Sequence, residues 1–282
     1  GEQDISDEEA CKNVLNYYAA CLVDSDRVIG DLLATLEKLG MTDDTIVILT
    51  SDHGEMGGSH GLRHKGPFMY RENINVPLVV RYPGGQKGVK SNAMMSAIDF
   101  APTLIGLVGE DYSKIEKRLL GYDYSGIILG KKVRERNEIL VNFSNTTQGN
   151  SRLEKIRMLQ KEAEKKGAPV VQFKFPDDFI QFDTRTLGRG IITGRYKFSR
   201  WFAPGDHHKP TTWQMLVGRN DLELYDLDAD PLEMNNLIHF PETHRELILA
   251  LNTRLNDLIE REVGIDLGGH LPGNHNIWTS EL

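Results

Sequence analysis

Two short runs do most to limit what this chain folds into. Thr45–Thr50 (TIVILT) and Val76–Arg81 (VPLVVR) are apolar or β-branched at nearly every position, without the alternation of a sheet that faces water on one side. They predict strands buried on both faces. The first breaks into Ser51-Asp52-His53-Gly54, the second into Pro83-Gly84-Gly85. Ahead of the first, Val14, Tyr18, Cys21, Leu22, Ile29, Leu32, Leu33 and Leu36 recur at helical spacing, between a capping box at Ser6–Glu9 and a stop at Gly40. One long helix is expected, with a break near Asp24–Asp26. After the second strand, Asp99 is expected to cap a helix that carries Pro102 in its first turn and ends at Gly109. Helix, buried strand, loop, buried strand, helix is the grammar of an α/β fold.

Past about residue 130 the pattern changes. Glu138–Phe143, Gly190–Phe202 and Leu222–Leu227 read as antiparallel strands, and Leu247, Ile248, Leu251, Leu255, Leu258 and Ile259 mark an amphipathic helix. The division expected is 1–130 as an α/β unit and 131–282 as a small α+β domain, with a charged helical insertion near 151–166. The tail from Gly264 has no period. Asp226, Asp228 and Asp230 before Pro231 are read as a turn rather than a cation site.

The net charge of −8, with no dominant basic patch, argues against nucleic acid. No run of about 18 apolar residues is present to span a membrane. Cys11 and Cys21, ten positions apart on one helical pattern, are separated by about 15 Å at 1.5 Å per residue. They are therefore read as unpaired core thiols. No signal-peptide pattern stands at the start, which opens on Gly1 rather than Met.

Chemistry gathers where the first strand ends. In an open α/β sheet, ligands sit beyond the carboxyl ends of the strands. Asp52 offers a hard oxygen and His53 a neutral nitrogen, both on the first residues of such an end, and Gly54 lets the chain turn. The bland alternative is a solvated aspartate beside a structural histidine. Gly57, Gly58 and Gly61 follow, then Lys65, a point charge suited to an anion. A metal pair and a lysine on one loop suit a phosphate or sulfate. Glu55 is read as a partner for backbone or a nearby cation. His207–His208 and the tail residues His270, His275 and Trp278 are candidates for a pocket rim.

These residues carry a resemblance. TIVILTSDHGEMGGSHGLRHKGPFMYRENINVPLVVRYPG resembles the second signature region of the sulfatases, in the alkaline phosphatase superfamily. SAIDFAPTLIGLVG and GRYKFSRWF…DLELYDLDADPLEMNNL resemble the segments that follow it, and together the three cover most of residues 10–262. The resemblance implies part of an α/β/α sandwich of the alkaline phosphatase type, with a smaller carboxy-terminal antiparallel domain. It implies that Asp52 and His53 are two ligands of a divalent cation, usually Ca2+, with Mn2+ or Mg2+ as alternatives. Lys65 would hold a sulfate oxygen, and His60 would lie near the substrate.

One departure is plain. The family nucleophile, a formylglycine made from Cys or Ser in Cys/Ser-x-Pro/Ala-x-Arg, has no counterpart, since Cys11 leads into Lys-Asn-Val-Leu and Cys21 into Leu-Val-Asp-Ser. The family's first metal pair is also missing. Asp43-Asp44 and Asp177-Asp178 are adjacent acids, but neither pair follows a buried strand. The chain thus resembles only the carboxy-terminal part of a sulfatase, inactive alone, with the nucleophile expected on an amino-terminal half. The readings are hydrolysis of a small-molecule or carbohydrate sulfate ester, hydrolysis of a phosphonate or phosphate ester, or a non-catalytic chain that binds a sulfated ligand or a partner. An amino-terminal partner fragment or a homo-oligomer would cover the bare sheet. The parent is expected in a periplasmic or secreted setting.

Overall fold

The computed structural model describes residues 8–115, 119–131, 133–144, 173–174, 185–203, 206, 209–264 and 277–278. The chain divides into two compact units, Gly1–Arg136 and Asn137–Leu282. The helix expected near 151–166 lies outside the described residues.

The first unit opens with α1 (Glu8–Lys38), which runs through Asp24–Asp26 without a break. Arg27 pairs with Asp24 and Asp31 across one turn in each direction, so the acidic stretch is bridged along the helix. No residue of α1 is buried. Cys11 is half-buried and Cys21 exposed, so the core-thiol reading fails for Cys21. After α1 come β1 (Val47–Thr50), α2 (Arg71–Ile74), β2 (Leu78–Arg81), α3 (Phe100–Leu107), α4 (Tyr112–Ile115) and α5 (Ser125–Ile128).

β1 and β2 pair antiparallel, with Leu49 opposite Val79 and Thr50 opposite Leu78. Opposed residues share a face, so successive pairs lie on opposite faces. Leu49 and Val79 are 41% and 59% exposed on one face, and Leu78 is 42% exposed on the other. Among the described residues the burial expected on both faces is incomplete, with Val47, Ile48, Val80 and Arg81 half-buried and the other strand residues exposed. The apolar runs are present, but among the described residues no third strand pairs with them.

Asp99 also departs from expectation. It stands at the N-cap position of α3 without a side-chain cap bond, and Ser96 caps the 3-10 turn Ala97–Asp99 that leads in, in a reciprocal box with Asp99. The Asp99 carboxylate is fully buried and forked by Arg136, with Nε to Oδ2 and Nη2 to Oδ1 both at 2.7 Å.

The second unit is a four-stranded antiparallel sheet in the order β3 (Glu138–Ser144), β5 (Leu187–Thr193), β6 (Tyr196–Phe202), β7 (Asn220–Asp226). The two-residue strands β4 (Phe173–Lys174) and β8 (Ile277–Trp278) pair separately. α6 (Trp213–Arg219) leads into β7, and α7 (Pro241–Glu262) lies on the sheet. Ile248, Leu251, Leu255, Leu258 and Ile259 of α7 pack on Ile191, Phe198, Leu222 and Leu224. Each such side chain contributes roughly 1.5–3 kcal/mol on full burial. Gly190–Phe202 is a hairpin rather than one strand, turning at Gly194–Arg195. Lys197 and Glu233 form an ion pair inside this unit. No described helix is long and apolar enough to cross a membrane.

Candidate active-site loop

The loop after β1 is held tightly to α2. Gly54 N–H donates to the Asn73 carbonyl at 2.9 Å. A Cβ at position 54 would lie 1.8 Å from the Glu72 carbonyl oxygen, so glycine is required there for close approach rather than for a left-handed turn. Gly57, Gly58 and Gly61 do take positive φ, and so do His60 (55°) and His64 (62°). The loop therefore curls through several left-handed residues, which Gly adopts freely and other residues only at a cost.

This curl brings Lys65 back to the strand end. Its Nζ lies 2.7 Å from His53 Nε2. Nδ1 of the same ring lies 2.8 Å from the Gly54 carbonyl, which can only accept, so the ring proton sits on Nδ1 and Nε2 keeps its lone pair. Asp52 Oδ2 is 3.4 Å from that Nε2. Asp52, His53 and Lys65, chosen from the sequence, thus converge on one point. Asp52 and Lys65 are exposed and His53 is half-buried. A carboxylate oxygen next to an imidazole lone pair, with the other ring nitrogen tied to a carbonyl, is the donor set that a divalent cation takes.

His60 sits apart from that point. Its ring stacks on Tyr70, with centroids 3.7 Å apart and planes at 11°, and Nε2 is 4.0 Å from Glu72 Oε2. Glu55 bonds backbone, as read: Oε1 accepts from His64 N–H at 2.6 Å and from Gly57 N–H at 3.2 Å. Arg63 donates to Cys11 Sγ at 3.0 Å. His207–His208, His270 and His275 lie outside the described residues. Trp278 is placed only as part of β8.

The sequence reading did not single out Tyr70, Glu72 or Asn73. Glu72 and Asn73 lie on the four-residue α2 and Tyr70 just ahead of it, with no periodicity to mark them. The one signal was Gly54, whose need for close approach implies a neighbouring backbone.

The family model "Sulfatase" matches residues 1–110, and the model "N-sulphoglucosamine sulphohydrolase, C-terminal" matches residues 58–163. An N-acetylglucosamine-6-O-sulfatase of Bacteroides thetaiotaomicron is 44% identical over 240 residues, 83% of this chain and 34% of that protein. A solved protein in complex with its substrate, D-glucosamine-2-N,6-O-disulfate, superposes with a TM-score of 0.58 at 24% identity, covering 88% of this chain and 40% of its own. The phosphonate monoester hydrolase of Agrobacterium radiobacter gives a TM-score of 0.58 at 21% identity, over 91% of this chain and 43% of its own. The chain spans 18% to 37% of the length of the curated relatives it matches. The two family models, the sequence relatives and the shared fold agree: the chain belongs to the sulfatase family, within which it corresponds to the carboxy-terminal part.

Proposed function

We propose that this chain supplies the carboxy-terminal part of the site of a sulfuric ester hydrolase acting on a carbohydrate sulfate ester. The observation that carries the reading is the convergence of Asp52, His53 and Lys65 on one point at the end of β1. Asp52 and His53 would hold a divalent cation, Ca2+ before Mn2+ or Mg2+. When bound, that cation stabilises negative charge on the sulfate oxygens. Nε2 has a single lone pair, so Lys65 would give it up if Nε2 held a cation. Its ammonium is then free to bond a sulfate oxygen and to neutralise the charge that grows there as the ester bond breaks. By the resemblance, His60, stacked on Tyr70, would lie near the substrate.

An amino sugar bearing a sulfate is the substrate class that the relatives favour, since one is named for N-acetylglucosamine 6-O-sulfate and another binds a sulfated glucosamine. The formylglycine nucleophile belongs on an amino-terminal partner segment.

Two assays test this. The 282-residue chain alone is expected to hydrolyse no aryl sulfate and no glucosamine 6-sulfate. Joined to a sulfatase segment that carries Cys-x-Pro-x-Arg, it is expected to gain activity, and Lys65→Ala should lower kcat roughly 100- to 1000-fold, the usual loss for one stabilising donor. Turnover by the purified chain alone, or a Lys65→Ala enzyme of full activity, overturns the reading. Preference for a phosphonate monoester over the sulfate ester transfers it to the second hydrolase class.

A further inference from the structure

Lys65 lies on no helix or strand, so its approach to His53 has to be set by what holds its neighbours. On the amino side, the backbone of His64 is bonded twice. Its N–H donates to Glu55 Oε1 at 2.6 Å, and its carbonyl accepts from Met56 N–H at 3.2 Å. The same Glu55 oxygen accepts from Gly57 N–H, so one carboxylate closes both ends of the 57–64 curl. On the carboxy side, Asn73 Nδ2 donates to the Gly66 carbonyl at 3.0 Å and the Phe68 carbonyl at 2.7 Å. The Asn73 backbone carbonyl accepts from Gly54 N–H at 2.9 Å. Asn73 thus ties down the residue after His53 and the residue after Lys65 at once. It is 8% exposed, and its Oδ1 is buried without an acceptor's usual partner. The amide is therefore committed to its two donor bonds at the expense of its oxygen.

We propose that Glu55 and Asn73 are positioning residues that fix the Lys65 ammonium against the Asp52–His53 pair. The proposal rests on the sulfatase reading for its purpose, since a fixed cation is worth more to a developing anion than one on a free loop. Its geometry stands without that reading.

Three substitutions separate the roles by hydrogen bonding. Glu55→Gln keeps an oxygen that accepts both backbone N–H groups, whereas Glu55→Ala keeps none. Asn73→Asp preserves shape but replaces the amide donors with a carboxylate that cannot donate to carbonyls.

The experiment is NMR of the full chain, without sulfate ester or metal, labelled at Lys and His. It reads the contact between the Lys65 side chain and the His53 ring, the Nε2 nitrogen shift, and exchange of the His64 amide. In the unaltered chain and in Glu55→Gln the contact is expected to persist. In Glu55→Ala and Asn73→Asp it is expected to vanish, with His64 amide exchange at least 10-fold faster in Glu55→Ala. A purely structural role would lower the melting temperature and leave Lys65 beside His53. Persistence of the contact in Glu55→Ala, or its loss in Glu55→Gln as fully as in Glu55→Ala, overturns the proposal. Should Asn73→Asp not fold, the Glu55 pair alone decides. No turnover is measured, so failure here is distinct from failure of the sulfatase assays.

Discussion

At the scale of single residues, Asp99 and Arg136 make the clearest case of a contact that fixes structure. Their side chains are 0% and 1% exposed. Besides Arg136, the Asp99 carboxylate accepts from Ser96 N–H at 2.8 Å and Tyr122 N–H at 2.7 Å, so each of its oxygens is bonded twice. The Arg136 N–H donates to the Tyr124 hydroxyl, which in turn donates to the Met94 carbonyl. Burial pushes the Tyr124 phenol above its ordinary range, which keeps that donor protonated. Removing one partner of a buried pair leaves the other charge uncompensated. Asp99→Asn is accordingly expected to cost about 3–5 kcal/mol. Urea denaturation should show it, and Arg136→Met added to Asp99→Asn should recover part of the loss. The sequence offered no route to this pair, because a cap is a local pattern and these residues are 37 positions apart. That Asp52, His53 and Lys65 lie close together was legible because one loop carries all three and its glycines 57, 58 and 61 take positive φ.

Among the elements, the β5–β6 hairpin and the end of β7 are held by charge. Arg195, in the hairpin turn, forks onto Asp226 with contacts of 3.1 Å from Nε to Oδ1 and 2.6 Å from Nη2 to Oδ2. Asp226 also accepts from Asp228 N–H and Ala229 N–H, which is the turn read from the sequence. The Arg195 guanidinium, bonded to it, holds the Asp226 carboxyl below its ordinary value, and the two backbone donors act the same way. A depressed carboxyl stabilises the fold above its unfolded pKa of about 3.9, and that contribution fades as the pH falls through the lower folded value. The stability gap between the native chain and Asp226→Asn should therefore narrow as the pH drops below about 4, measured by denaturation at a series of pH values. If the gap is unchanged down to the acid limit, this account of the turn is wrong. Alternation revealed β7 and the 3.6 period revealed α7, because each turns one face to the core, whereas β5 and β6 are buried at nearly every position. The runs of β1 and β2 showed the reverse, since their composition suits burial on two faces while Leu49, Leu78 and Val79 are exposed among the described residues.

For the molecule as a whole, that surplus apolar surface decides behaviour in solution. Leu49, Leu78 and Val79 are exposed on both faces of a two-stranded sheet whose strands are both edges. Exposed apolar patches and open edges mark interfaces or association hazards. Light scattering on the chain alone is expected to give a mass that rises with concentration, and Val79→Lys should lower it. A monomer at every concentration would refute this. α1 carries the same imbalance into thermal behaviour. With no buried residue along its 31 positions, it has little tertiary packing to tie it to a cooperative transition. Beyond contacts near its start such as Arg63 to Cys11, its order rests on propensity and on local pairs such as Lys12–Glu8 and Arg27–Asp31. That is the regime of helix–coil equilibrium, in which helicity fades gradually with temperature and from the ends inward. The sheet under α7, closed around a shared core, melts in a single step instead.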